Sequence, residues 1–264
     1  MLRVLATRRW LGALALAAAF AVGAFFLGQW QWHRYEERRD RAERITSHYD
    51  AAPSPLGSQV GSDPMPRAQE WTRITAQGTY AGGEPLLVRN RPLDGTYGYE
   101  VLSPFQLADG RTLLVDRGWV PNAESAEARP DVPPNPPGPV TLTGWLLPSE
   151  RSLGRHLPQG QLASINLPQA EQQLGADLIG AYLVLDREQT AGGSTPARPY
   201  RLERPDTGIG PHQAYAFQWW LAMPVGFVLV FFGVRREYRE GSEGGAQPRP
   251  ARPRKVRVWD EEDA

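Results

Sequence analysis

The sequence predicts a membrane protein in which two transmembrane α-helices flank a mostly antiparallel β-domain, barrel- or sandwich-like and of the α+β class, outside the cytoplasm. Three observations carry this reading. Two uncharged apolar runs, each long enough to cross a hydrocarbon core, stand near opposite ends of the 264-residue chain. Between them, short runs rich in Val, Leu, Thr and aromatic residues are separated by Gly, Pro and Asp-Gly turns, as antiparallel strands are. One stretch in that middle region, LPQAEQQLGADLIG, has a convincing soluble-helix pattern, with Pro168 near its start.

The first apolar run is WLGALALAAAFAVGAFFLG, Trp10 to Gly28, and the second extends from Ala214 to Val234. Trp30 and Trp32 follow the first, and Trp219 and Trp220 open the second. These are equivalent boundaries, and indole rings favour the headgroup level. Orientation follows from the basic flanks. Arg235, Arg236, Arg239 and the stretch PRPARPRKVRV follow the second run, whereas the residues from Asp206 to Gln213 include no Lys or Arg. The C-terminal end is therefore assigned to the cytoplasm. The first run has arginines on both sides, so the second sets the topology and the N-terminus is cytoplasmic too. A cleaved signal peptide is the rival for the first run, because TRRWLG resembles a twin-arginine signal. The run is long for a signal sequence and ends in LGQWQWHR, not in a small-residue cleavage site, which favours an anchor. The predicted organisation is a cytoplasmic N-terminus over 1–9, a transmembrane helix over 10–30, a helical extension and linker over 31–70, an extracytoplasmic β-rich domain over 71–205, a second transmembrane helix over 212–234, and a disordered cytoplasmic tail over 235–264.

Within the middle region, HRYEERRDRAERI has mixed charges at helical spacing and continues the first helix out of the membrane. AAPSPLGSQVGSDPMP reads as a linker. Strands are expected over WTRITAQGTY, EPLLVRNRP, GYEVLSPFQL, RTLLVDRGWVP, PVTLTGWLLP and AYLVLDRE, with RPYRLERP a candidate last strand. Asp109-Gly110 marks a hairpin. The proline-dense PDVPPNPPGP is a loop. Six or seven short strands with one helix favour a small closed or sandwiched sheet.

The 29 basic and 29 acidic residues balance, which argues against a nucleic-acid partner. There is no cysteine, so disulfides, thiolate metal sites and covalent c-type haem attachment are excluded. The four histidines are dispersed, and no HExxH, GxSxG or Walker loop occurs. An enzyme is not expected. Two strands carry arginines: Arg89 and Arg91 share a face by period two, as do Arg117 and Trp119 around Gly118. These arginines either pair with neighbouring strands, Gly118 marking a bulge, or reach a carboxylate or a partner protein. At the second apolar run, His212, Tyr215 and Trp219 fall at i, i+3 and i+7 on one helical stripe. Trp30 and Arg34 are i, i+4 on the first helix, at the same outer surface. On spacing, that stripe is either an aromatic belt or a ligand site. Gln218 is a further polar side chain inside the run, and Pro224 is placed to kink it.

Seven motifs in order resemble the Surfeit locus protein 1 family of cytochrome c oxidase assembly proteins. LGQWQWHR is similar to the family's Leu-Gly-x-Trp-Gln-x-x-Arg. Gly78 and Tyr80 in QGTY, then RNRPLDGTYGYEVLSPF, DRGWVP, the GWL of Gly144 to Leu146, and INLPQAEQQLG follow it. HQAYAFQWW is similar to His-x-x-Tyr-x-x-x-Trp. Asp116 stands where Asn is frequent, and Asn166 where Asp is. The resemblance implies an assembly factor in the bacterial plasma membrane that binds haem A and delivers it to the main subunit of a haem-copper oxidase. It implies contact with the haem A synthesis machinery and the lipid membrane, and it makes His212 the iron ligand. On that reading, Tyr215, Trp219 and Trp30 would pack on the ring or between helices, Arg34 would meet a propionate or headgroup, and His33 is a candidate second ligand. A haem-free scaffold gripping an assembly intermediate is the alternative, with the Arg91 and Arg117 motifs as its partner surface. An unrelated two-span envelope protein is a third.

Overall fold

The computed structural model describes residues 1–57, 60–123, 128–155 and 157–243. In chain order its elements are helices α1 (Leu2–Leu5) and α2 (Arg8–His48), then strands β1 (Ser54–Pro55), β2 (Thr72–Tyr80), β3 (Leu86–Leu93), β4 (Thr96–Leu107), β5 (Thr112–Pro121), β6 (Val140–Pro148) and β7 (Gln161–Leu162). Helix α3 (Leu167–Leu174), strand β8 (Leu178–Thr190), and helices α4 (His212–Ala222) and α5 (Val225–Glu243) complete the chain. They form two compact units, one of Met1–Glu36 with the chain from Gly210 onward, the other Glu37–Ile209.

The first unit is helical. α2 contains no proline and is rich in Ala, Leu, Arg and Glu, so the predicted first span and its continuation are one unbroken helix. The second span is divided at Met223-Pro224, as the position of the proline suggests. Proline cannot donate to the preceding turn, and the ladder resumes with Val228 N–H to Pro224 O at 2.9 Å. Small residues make the seam between these helices: Ala17, Ala24 and Ala216 are buried, and Gly226 lies against Ala17. Close backbone approach through small side chains is how helices associate without water's help. The outward faces are apolar and bare, with Leu16, Leu221 and Leu229 at 73%, 74% and 66% exposure. Both helical segments are long and apolar enough to cross a membrane.

The tail expected to be disordered from residue 235 begins as helix. Arg235 to Glu240 holds no Gly or Pro, and an Arg236–Glu240 pair at 2.9 Å supports the turn. Trp10 Nε1 also donates to Glu237 Oε2 at 2.9 Å. The remainder of that tail, 244–264, lies outside the described residues.

The second unit is built on a β-barrel. Strands β2, β6, β8, β5 and β4 are neighbours in that order, and β2 pairs β4 to close the ring. β4 is long enough to pair β3 along Thr96–Leu102 and β2 along Phe105–Leu107. The sheet, expected to be mostly antiparallel, is mixed, its antiparallel pairings joined by parallel ones at β5–β8, β1–β2 and β3–β7. The cause is topological. β5 and β6 are not neighbours, and β8 fills the place between them, antiparallel to β6 and parallel to β5. The connection to β8 includes α3, whose ends are written in the sequence. Asn166 caps it by accepting from Gln169 N–H, Pro168 stands in its first turn, and Gly175 ends it in the left-handed region.

Two expectations change here. RPYRLERP is no strand; it makes a single bridge, Trp119 with Tyr200. The presumed linker is partly core, because Leu56, Val60 and Met65 are buried against the barrel. Arg111 holds this segment by donating to Val60 O at 2.5 Å and Gly57 O at 2.6 Å. Phe105, Leu113, Leu142 and Leu183 belong to the same core cluster, all at 0% exposure. A second cluster joins Leu102, Leu114, Trp145 and Tyr182 to Leu167 and Ala170 of α3 and to Ile45 near the end of α2.

Candidate functional site

In the helical unit, His212 is the first residue of α4 and meets Gln31 of α2. Its Nδ1 lies 2.8 Å from Gln31 Oε1. An amide oxygen can only accept, so in the neutral ring Nδ1 carries the proton and Nε2 keeps its lone pair. Around this bond the helices interlock. A Cβ on Gly28 would strike the Trp220 indole, and Trp32 packs on Phe217 and Trp220 at centroid separations of 6.1 and 5.8 Å.

The predicted residues are only partly gathered by this seam. Of the stripe His212, Tyr215, Trp219, the histidine faces α2, while Tyr215 is 46% exposed and Trp219 partly buried. The inward line of α4 is His212, Ala216 and Trp220, at i, i+4 and i+8. Trp30 is also turned outward, 54% exposed, with the Arg34 guanidinium 5.9 Å from its ring centroid. His33 sits beside Glu36 at 3.5 Å and is exposed. Gln31, Gly28, Trp32 and Trp220 form the contact that period counting missed. The small residues Ala17, Ala24 and Gly28, at i, i+7 and i+11, were the available signal, since they put Gln31 and not Trp30 on the packed face.

In the barrel unit, the arginine strands divide. The face-sharing of Arg89 and Arg91 is broken by a bulge, because Val88 pairs Glu100 while Arg91 pairs Gly98, and Asn90 has φ 58°. Arg89 is left exposed. Arg91 binds Glu100 at 2.9 Å and Glu150 at 2.5 Å. Arg117 has 0% exposure and binds inward, to Glu188 at 3.0 Å and to the carbonyls of Pro133 and Ala197. Tyr80 donates to the other oxygen of Glu188 at 2.7 Å. Burial, then the Glu188 charge, pushes the Tyr80 hydroxyl far up. Gly118, at φ 128°, lets the Tyr200 carbonyl come close, and Trp119 Nε1 donates to Arg91 O at 2.7 Å with its ring over Gly98. Arg117 and Trp119 are thus internal fastenings and present no surface to a partner.

A cleft of about 1130 Å³ opens on this unit, lined among others by Arg44, Trp71, Trp145 and Tyr182, with Glu100 and Asp116 at its wall. Arg91 pairs with two carboxylates there, Glu100 and Glu150. Burial pushes Glu100 up to about 7, and it pushes Asp116 up well beyond the usual carboxylate range.

Comparison with known proteins bears on both units. The model of the SURF1 family matches residues 18–223, most of the chain. The chain belongs to the SURF1 family. SURF1-like proteins of Mycobacterium bovis and Mycobacterium tuberculosis are 31% identical over 249 residues, covering 90% of this chain and 89% of theirs. A SURF1-like protein of Dictyostelium discoideum is 34% identical over 109 residues, 38% of this chain and 39% of its own. The SURF1 match begins inside α2 and ends at Met223, immediately before Pro224. It therefore takes in Gly28, Gln31 and His212 but stops short of α5.

Proposed function

We propose that this SURF1-family chain is a membrane-anchored assembly factor for a haem-copper terminal oxidase, and that it holds haem A as cargo on His212 before passing it to the main oxidase subunit. The observation that carries the proposal is the committed Nδ1 of His212, which leaves Nε2 as the ligating nitrogen at the head of an apolar helix pair. A histidine that ligates iron ordinarily gives its other N–H to a fixed acceptor. The surroundings fit the cargo. Tyr215 and Trp30 offer exposed aromatic surface, and Arg34 is a cation suited to a carboxylate. Trp219 lies one helical turn beyond Tyr215 on the same face. Among the described residues no group of three or more His, Cys, Asp or Glu is placed to hold a metal, and on this reading His212 alone supplies the ligand. One ligand suits a carrier that must release.

The membrane assignment rests on two helices of sufficient length and apolarity and on the basic residues that follow α5. A carrier of this kind requires no catalytic side chain. Of the surface first assigned to a haem-free scaffold, Arg117 is sealed in the barrel and Arg91 is engaged by two carboxylates, while Arg89 stays exposed.

The test is spectroscopic. Full-length protein is purified from cells that make haem A, beside His212→Ala. Wild type is expected to carry a haem A spectrum that the variant loses. A colourless wild type overturns the carrier reading, and colour unchanged in His212→Ala overturns the ligand assignment.

A further inference from the structure

The His212–Gln31 bond joins residues 181 positions apart, and it is made by the His212 ring itself. Gln31 stands beside two packed positions of α2. It follows Gly28 by one turn, where the missing side chain admits Trp220, and it precedes Trp32, which is held against Tyr35, Phe217 and Trp220. Its amide is partly buried, so its oxygen is held where α4 begins.

We propose that Gln31 is a positioning residue that selects the nitrogen His212 offers to iron and keeps that nitrogen a moderate donor. This rests on the carrier reading. The chemistry follows from what the amide is. As a neutral acceptor it holds the Nδ1 proton in place and so fixes both tautomer and ring orientation. A carboxylate in the same place would draw that proton towards itself, make Nε2 more basic, favour ferric over ferrous iron and tighten the Fe–N bond. Such strengthening serves a resident prosthetic group. A carrier needs the opposite, an oriented ligand that still lets go. Because Gln31 and His212 come from different helices, the ligand is oriented only when α2 and α4 are packed together.

The experiment compares full-length wild type, Gln31→Glu, Gln31→Asn, Gln31→Leu and His212→Ala, each purified from haem A-producing cells. Three quantities are read: haem content, the ferric/ferrous midpoint potential, and the rate of haem transfer to excess apomyoglobin. The ring ¹⁵N shifts of the apoprotein, assigned by difference from His212→Ala, add a haem-free readout. Gln31→Glu is expected to move the potential negative and slow transfer. Gln31→Leu is expected to weaken haem retention by about 10- to 100-fold and to lose the Nδ1–H signature of His212. Gln31→Asn, with the same amide on a shorter arm, falls between wild type and Gln31→Leu. Wild-type potential and transfer rate in Gln31→Glu, with His212→Ala still colourless, would overturn the role of Gln31 and leave the carrier reading standing. A colourless wild type would overturn both. If Gln31→Leu fails to fold, Gln31→Glu decides alone, since a structural role would not move a potential in a set direction.

Discussion

Arg117 shows how a residue that looks like a docking cation becomes a rivet. Its guanidinium is spent on Glu188 and two backbone carbonyls, and Tyr80 completes Glu188. Removing one partner strands the other charge in the core, so Arg117→Leu is expected to cost about 3–5 kcal/mol. Denaturant melts of the detergent-solubilised chain, with Glu188→Gln as comparison, would show it; a shift below about 1 kcal/mol would mean the pair is not buried. Glu100 makes the opposite kind of statement. Its carboxyl titrates near 7 because desolvation outweighs Arg91. The folded value lies above the unfolded one, so its contribution to stability is complete below the usual carboxylate range. That contribution is lost as pH rises through about 7, by on the order of 2–3 kcal/mol. Glu100→Gln should therefore raise the melting temperature at pH 8 and leave it nearly unchanged at pH 4.5. An equal effect at both would refute the raised value. Neither residue's role was legible in the sequence. LLVDRGWV announces an arginine on a strand, but Glu188 is 71 positions away, and only the closed ring says that their faces meet inside.

At the scale of the element, the sequence was most informative where local chemistry decides the structure. Asn166, Pro168 and Gly175 bound α3 by capping alone, and two long, apolar, uncharged runs are helices, as expected of such runs. Strand direction was less legible. AYLVLDRE reads equally well in a parallel or an antiparallel place, and its insertion between β5 and β6 is a property of the whole ring. The packed face of the helix pair was missed for a related reason. Large aromatics drew attention to Trp30 and Tyr215, while the packed face is marked by residues that have almost no side chain. This seam can be trapped, because the chain has no cysteine of its own. A Cβ at Gly226 would come to 2.9 Å from the Cβ of Ala17, closer than the roughly 3.5–4.5 Å across a disulfide, so a bridge there forms once the two helices ease apart by about an ångström. The pair Ala17→Cys with Gly226→Cys is expected to oxidise within one chain, read as two fragments held together after cleavage at a protease site placed at Gly192. Adding Gly28→Leu, which drives a side chain into Trp220, should lower the yield several-fold. Efficient oxidation only between separate chains would refute the seam.

For the whole molecule, the SURF1 match covers most of the chain and two segments are long and apolar enough to cross a membrane; in the proposed topology the chain would cross, fold its barrel outside, and cross back. The arrangement has a chemical reason under the carrier reading. His212 opens the second crossing, where an apolar cargo can be shared between lipid and protein while its carboxylates reach the polar boundary. The positive residues that follow α5 would hold that end in the cytoplasm at a cost, if reversed, of several basic groups translocated. Reporter fusions test the entire scheme. Alkaline phosphatase inserted in the exposed turn at Gly192-Gly193 is expected to be active, whereas fused after Ala264 it should be inactive and green fluorescent protein there should fluoresce. The carrier proposal also requires that α2 be retained, since cleavage after an apolar leader would remove Gly28 and, with it, the partner of Trp220. Phosphatase activity at the C-terminus, or loss of the first helix, would leave His212 and Gln31 unable to meet at one membrane face, and the carrier proposal would fall with the topology.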